Sequence, residues 1–313
     1  MPTIARRCRT RKVLVLGTDA RVVLAVVRSL GRHNLRVHVG WCPAGSPALC
    51  SRYIAQIHEI PPYRADNDAW KDSLTATVRQ HHFDLVLPCD DSTLAPLQRH
   101  RRELEGIAPI YLPPAGPGKE VPPPEPFRGT AVSVEMLADH GEVLAAFQHV
   151  RIPEAIAGAG ASRRSAPLHP GLLDAAKESM KAIDYTGLAT IDAIVNSETG
   201  QWVIRQIHGR FWGSLPLAVA AGADFPYYLY QLWVQGKRNF PASYRQDVRC
   251  GDRLLASFAR DDLRPALAEL RIVVRRLCRK LGGRCLAEAD GFNGSGRNER
   301  NGEGFGLSGF GGI

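Results

Sequence analysis

The sequence predicts an α/β fold in two parts, a parallel-sheet domain followed by an α+β domain. Three observations predict it. From Lys12 to Leu104, short apolar runs alternate with segments of helical period, the pattern of strands joined by crossover helices. A stretch dense in Pro and Gly, Tyr111 to Phe127, then breaks the pattern, because it holds neither a helix nor a central strand. Beyond it, two pairs of alternating runs read as hairpins on either side of a helix.

The elements follow in order. "KVLVLG" is a strand, Val22 to Leu30 a helix that Gly31 should stop, and "LRVHVGW" a second strand. "DAWKDSLTATVRQHHF" places Trp70, Leu74 and Val78 on one helical face, and "DLVLPC" is a strand. "STLAPLQRHRREL" is a helix behind Asp90 and Asp91, which either cap it or face a ligand at the strand end. After the Pro-rich stretch, "TAVSVEMLAD" and "EVLAAFQHVRI" join through "DHG". "HPGLLDAAKESMKAI" is a helix with Leu172, Leu173, Ala176 and Met180 on one side, and "LATIDAIV" and "WVIRQIH" join across "NSETG". "SLPLAVAAGADFPYYLYQLWV" has about the length of a membrane span. Pro216, Gly222, Asp224 and Pro226 make it a buried helix pair instead, since lipid would leave a charge and a backbone carbonyl unpaired. "LRPALAELRIVVRRLCRKLGG" is a basic amphipathic helix, and the Gly, Asn and Ser beyond Gly291 predict disorder.

At 313 residues, with 44% hydrophobic and 23% charged, the chain is ordinary for a globular protein with two cores. Its net charge of +9 favours acidic partners such as phosphates, or reflects a plainly Arg-rich surface. The seven cysteines are scattered without C-x-x-C spacing, which argues against a zinc knuckle and for reduced thiols in a cytoplasm. The run behind the basic N-terminus is too short for a signal peptide, so a cytoplasmic protein without a membrane segment is expected. "VLGTDARVV" offers Gly17 alone where a dinucleotide turn needs several glycines.

The second hairpin carries the candidate site. Residues of equal parity on a strand share a face, so Thr190 and Asp192 lie with Gln206 and His208, and Arg210 follows just past the strand end. The turn puts Asp192 opposite Ile204, or opposite Gln206 if the register slips by two. The platform is either a solvated strand end or a site for something charged. Arg210 suits an oxyanion, because a guanidinium fork matches phosphate and carboxylate, or it is a rim salt bridge. Ser162, Arg163 and Arg164 either touch phosphates from a Gly-rich loop or are solvated, and Arg151 points toward the same cleft or into solvent. Phe211 and Trp212 read as core beneath the platform.

The segments "VEMLADHGEVLAAFQH", "HPGLLDAAKESMKAIDYTGLATIDAIV" and "GRFWGSLPLA" resemble the ATP-grasp superfamily, in particular its bacterial carboxylate–amine ligase branch. The resemblance runs from about Gly129 to Gly236, and the region from Lys12 to about Pro114 is similar to the pre-ATP-grasp domain. It implies residues 11–114 as that domain, 115–128 as linker, 129–245 as an incomplete ATP-grasp domain, 246–288 as a basic helical extension and 289–313 as a disordered tail. It also implies ATP and Mg²⁺ as cofactors, and ligation of a small carboxylate to an amine through an acyl phosphate.

Mapped by this resemblance, Asp192, Gln206 and His208 are the metal ligands, Arg210 and Arg151 the catalytic residues, and Ser162, Arg163 and Arg164 the cofactor contacts. The sequence departs from the family pattern at four places, one of them "GAGASRRSAPL", which is similar to the family's Gly-Ala-Ser segment but lacks the Arg-Glu-Ser that usually follows. Gln206 stands for a glutamate, His208 for an asparagine, and Gly118 to Phe127 replaces a subdomain that carries phosphate-binding lysines and the adenine hinge. Impaired catalysis is the expectation. The alternative is a non-catalytic homologue that binds a ligand or partner. A nucleic-acid role for Arg275, Arg276, Arg279 and Lys280 ranks last, for want of any groove-reading motif.

Overall fold

The computed structural model describes residues 11–104, 106–107, 109–114, 127–152 and 162–250. The expected basic helix, the glycine-rich tail and most of the Pro-rich stretch lie outside them.

Four parallel strands form the first sheet, in the order β3-β2-β1-β4. These are β1 (Lys12–Leu16), β2 (Arg36–Gly40), β3 (Ile54–His58) and β4 (Leu85–Pro88). Strand β3, "IAQIH", was not legible as a strand because its residues lie half-exposed at the sheet edge. Helix α1 (Ala20–Arg32) starts where the Asp19 carboxylate accepts the Arg21 N–H, and it buries every residue from Val22 to Leu30. Gly31 does not stop it. The helix runs one residue further, and Gly31 is needed for packing, since a Cβ there would stand 2.5 Å from the Tyr53 side chain. Helix α2 (Ala69–His81) buries Trp70, Leu74 and Val78, as their spacing predicts.

The helix expected after β4 divides at His100 into α3 (Asp91–Arg99) and a short α4 (Arg101–Leu104). Pro96 inside α3 lacks the N–H that a regular turn would use. Asp90 opens α3 with a reciprocal capping box to Thr93.

The second sheet is antiparallel, in the order β10-β7-β6-β5-β8-β9. Its strands are β5 (Thr130–Asp139), β6 (Glu142–Ile152), β7 (Ser162–Ala166), β8 (Gly187–Val195), β9 (Trp202–His208) and β10 (Arg249–Cys250). The β5–β6 turn places His140 and Gly141 both at positive φ, the twist that tight hairpins favour. Helix α5 (Pro170–Ala182) lays Leu172, Ala176 and Met180 on one face of the sheet, against Val134, Met136 and Ile191. Leu173 is only half-buried. Residues 249–250, expected to begin a helical extension, are instead the edge strand beside β7.

The buried helix pair is α6 (Leu215–Ala221) and α7 (Phe225–Gln235), with Gly222 turning between them at φ 102°. Among the described residues no helix is long and apolar enough to cross a membrane. Each sheet has a core of its own, around Leu14, Trp70 and Leu97 in the first and around Met136, Leu172 and Ile191 in the second. The helix pair adds a third cluster that spans both, from Val13, Val23 and Leu30 through Phe147 to Phe211, Leu215 and Leu229. Tyr111, at the head of the Pro-rich stretch, belongs to that cluster: it is 1% exposed, and its hydroxyl oxygen accepts the Leu188 N–H at 2.8 Å. Phe211 and Trp212 are core residues, as expected.

Candidate functional site

Directly paired residues of an antiparallel sheet share a face. The register therefore extends the polar platform beyond its hairpin. One row crosses Ser165, His149, Ser133, Asp192 and Gln206, and the next crosses Phe147, Glu135, Thr190 and His208. Asp192 pairs with Gln206, the slipped register of the two that the turn allowed. A bulge after Asp192 makes it so, for Ala193 pairs with Ile204 and Arg205 is the extra residue.

Asp192 accepts from Ser133 Oγ at 2.6 Å, and its other oxygen lies 3.4 Å from His208 Nε2. Burial works against ionisation of this carboxyl, but the hydrogen bonds from His208 and Ser133 outweigh it and hold the group below the usual carboxylate range. A second cluster lies deeper. Ser214 Oγ donates to Glu135 Oε1 at 2.6 Å and lies 2.8 Å from His149 Nε2, which is 3.0 Å from the same carboxylate oxygen. Glu135 is fully buried, and burial pushes its carboxyl up despite the opposing His149 and Ser214. Sequence reading missed this trio. A lone Glu in the apolar run "VSVEMLAD" was the available signal.

Four buried polar atoms here have no partner among the described residues: Glu135 Oε2, His149 Nδ1, Thr190 Oγ1 and Trp212 Nε1. Native structures rarely leave such atoms unpaired away from functional sites. His149, Thr190 and Trp212 line a cleft of about 180 Å³ whose walls also include Arg163, Asp192, His208, Arg210 and Ser214, and Glu135 lies behind it against His149 and Ser214. Among the described residues Arg163 has no acidic partner within ion-pair distance. It faces the cleft with Arg210, whose guanidinium is paired with Asp91, and with the carboxylate of Asp192.

The other expected site residues divide. Gln206 shares the platform face but not the walls of the cleft. Arg151 pairs with Arg163 and so shares its face, yet it is exposed and outside those walls. Ser162 and Arg164 alternate with Arg163 and point to the opposite face, where Arg164 pairs with Asp247. Residues 162–166 are a strand rather than a loop, which separates the three. The Gly-rich residues before them lie outside the described ones. Arg210 is a wall of the cleft, and its charge is partnered: Nε stands 2.7 Å from Asp91 Oδ1, and a terminal nitrogen donates to the Phe211 carbonyl at 3.0 Å.

Asp91 also borders a larger cavity of about 610 Å³ at the ends of the parallel strands, with Thr18, Trp41, Tyr63 and Arg99. The two cavities meet at the Asp91–Arg210 pair. Asp90 takes no part in either. Its carboxylate accepts N–H groups from Thr18 at 2.5 Å, Asp19 at 3.0 Å and Thr93 at 3.1 Å, so it joins loop to helix.

The donor set does not fit Mg²⁺. That ion wants oxygen ligands in strict geometry. Asp192 supplies the only carboxylate of the three expected ligands, and both of its oxygens are engaged. Gln206 is neutral, and His208 offers nitrogen, which suits softer metals.

No family profile matches the sequence, nor does any curated protein. Solved structures do match. A Rhizobium etli pyruvate carboxylase with the allosteric activator acetyl coenzyme A aligns at TM-score 0.55 and 15% identity, over 77% of this chain but 28% of that one. A Campylobacter jejuni biotin carboxylase in complex with β-γ-ATP aligns at TM-score 0.54 and 11% identity, over 76% and 74% of the two chains. The biotin carboxylase domain of a single-chain bacterial carboxylase aligns at TM-score 0.53 and 13% identity, over 75% and 71%. The chain therefore shares the fold of these biotin carboxylase structures, a parallel sheet with helices followed by an antiparallel sheet with helices. At these identities the likeness extends to the fold alone.

Proposed function

We propose that this chain is an ATP-grasp-type ligase homologue of the carboxylate–amine branch, with impaired catalysis and a retained site for a small anion. The ancestral chemistry is ATP- and Mg²⁺-dependent ligation of a carboxylate to an amine through an acyl phosphate. The complex of one structural neighbour with β-γ-ATP supports a nucleotide as the ancestral ligand.

The observation that carries the reading is the cluster of unpartnered buried polar atoms beneath a cleft with two guanidinium groups. A cleft of about 180 Å³ is below the ~300 Å³ at which drug-sized ligand sites begin, so it suits a phosphate or carboxylate group better than a whole nucleotide. Arg163 and Arg210 supply the charge for that group, and His149, Thr190 and Ser214 supply hydrogen-bonding partners. Ser133 and His208 hold Asp192 ionised, so it repels an anion from one side and fixes the anion's seat nearer Arg163. The larger cavity across the Asp91–Arg210 pair is the natural place for the body of an acidic substrate.

Two measurements test this. Calorimetric titration with inorganic phosphate should show saturable binding that Arg163→Ala abolishes. Phosphate release from Mg-ATP, with a panel of carboxylates and amines, should stay at the level of an Asp192→Ala control. Absence of phosphate binding would sink the anion site, and turnover with any acceptor pair would restore an active ligase.

A wholly non-catalytic homologue that binds a ligand or partner is the second reading. It is favoured by Asp192, whose two oxygens are already engaged by neighbours.

A further inference from the structure

A separate cluster on the first sheet has the composition of a transition-metal site. His38 lies inside β2, His58 ends β3, and His81 ends α2, so three rigid elements converge. One ring nitrogen from each lies within 4.8 Å of the other two. The closest approach, His38 Nδ1 to His58 Nε2, is 2.9 Å. The ring centroids of His58 and His81 are 4.6 Å apart, and Phe83 closes the site edge-on to His38 at 5.0 Å.

We propose that His38, His58 and His81 together bind one divalent transition-metal ion of borderline softness, of the zinc class. Tetrahedral zinc with Zn–N near 2.0–2.1 Å places its nitrogen ligands roughly 3.3 Å apart, a spacing that the observed separations bracket. Small side-chain rotations therefore suffice. Three imidazoles without a carboxylate suit zinc, copper or nickel and not magnesium, so this site differs in kind from the platform on the second sheet. His38 is buried, whereas His58 and His81 are partly exposed, which leaves a path for the ion and a position for water.

The last turn of α2 adds a favourable field, because a helix C-terminus carries partial negative charge. Two cations oppose the ion. Lys12 donates through Nζ to the His81 carbonyl at 3.0 Å, and Arg36 precedes His38 on β2 by two residues. The site should therefore hold zinc at about micromolar Kd rather than with the tightness of a zinc finger. A bound ion would tie β2, β3 and α2 together at one edge of the sheet.

The test is titration of the chelator-treated full chain with cobalt(II), followed spectroscopically, then with zinc(II). The expected result is one equivalent of cobalt with d–d bands of nitrogen ligation, displaced by zinc, and a melting temperature that rises by several degrees with zinc. The double variant His58→Ala/His81→Ala should lose the bands and the shift. Its melting temperature in chelator should match that of the unaltered chain, since neither side chain is fully buried. Should the double variant fold poorly, the single His81→Gln, at a helix end, should still weaken cobalt binding at least tenfold. Asp192→Asn on the platform should leave the cobalt signal intact. Absent d–d bands, thiolate charge-transfer bands in their place, or equal binding in the histidine variants would overturn the assignment.

Discussion

The guanidinium of Arg210, just past the end of β9, is paired at 2.7 Å with the Asp91 carboxylate at the start of α3. The pair joins the antiparallel sheet to the parallel one at the boundary between the two cavities. Asp91 is 71% exposed, so solvent screens the attraction to less than about 1 kcal/mol. Arg210→Lys should therefore lower the melting temperature little, while it weakens phosphate binding by removing the paired donors. Asp91→Asn should do the reverse and tighten phosphate binding several-fold, by releasing the guanidinium. A large drop in melting temperature for Arg210→Lys, with unchanged binding, would make Arg210 a structural rim residue.

Gln206 stands directly opposite Asp192 across the β8–β9 pair. Gln206→Glu would set two carboxylates face to face, a cross-strand arrangement that costs stability without a counter-ion. The variant should melt lower than the parent in chelator, and manganese(II) should recover the loss. Gln206→Ala should show neither effect. Equal manganese affinity in the parent and in Gln206→Glu would remove any metal role from this strand.

Mg-ATP should not bind saturably in the micromolar range, at about 8 kcal/mol. The cleft of about 180 Å³ is small for a nucleotide, and the proposed loss of catalysis rests on a resemblance that implies the loss of the segment that would hold adenine. Calorimetry that returns a micromolar dissociation constant would refute this.

The Ser214 hydroxyl bonds one polar atom of Glu135 and one of His149. Ser214→Ala should cost about 1–3 kcal/mol, because it strands buried polar groups. Glu135 carries a raised pKa, so it binds protons more readily folded than unfolded. Its contribution is full below the unfolded carboxyl range and is lost as pH rises through the folded value. Glu135→Gln should remove that part of the pH dependence, as chemical denaturation at a series of pH values would record.

His38 works in the opposite direction. Burial first, then the positive charges of His58, His81, Arg36 and Lys12, push it down to about 4. The unfolded chain takes up a proton near pH 6.5 that the folded chain refuses, so stability falls as pH drops from 6.5 toward 4. In chelator, His38→Gln should flatten the melting-temperature profile over that interval. An unchanged profile would mean that His38 is not the group responsible.

Local pattern carried much of the fold. Hydrophobic period sufficed for α1, α2 and the two hairpins, because burial on one face is written into residue spacing. It also sufficed to put Asp192, Gln206 and His208 on one face, since alternation along a strand is a property of the chain alone. Long-range contacts decided the rest. Gly31 proved to be a close-packing position under the Tyr53 side chain rather than a helix stop. The bulge after Asp192 chose its partner. Glu135, His149 and Ser214 are far apart in sequence and meet only because β5, β6 and the start of α6 pack together. Arg210 was legible as a cation at a strand end, but not as the partner of Asp91, because spacing within one strand carries no information about the opposite sheet. The sequence by itself determined which side chains could share a face. Only the tertiary structure decided which of those were buried together, and burial sets the free energy of a charge or a hydrogen bond.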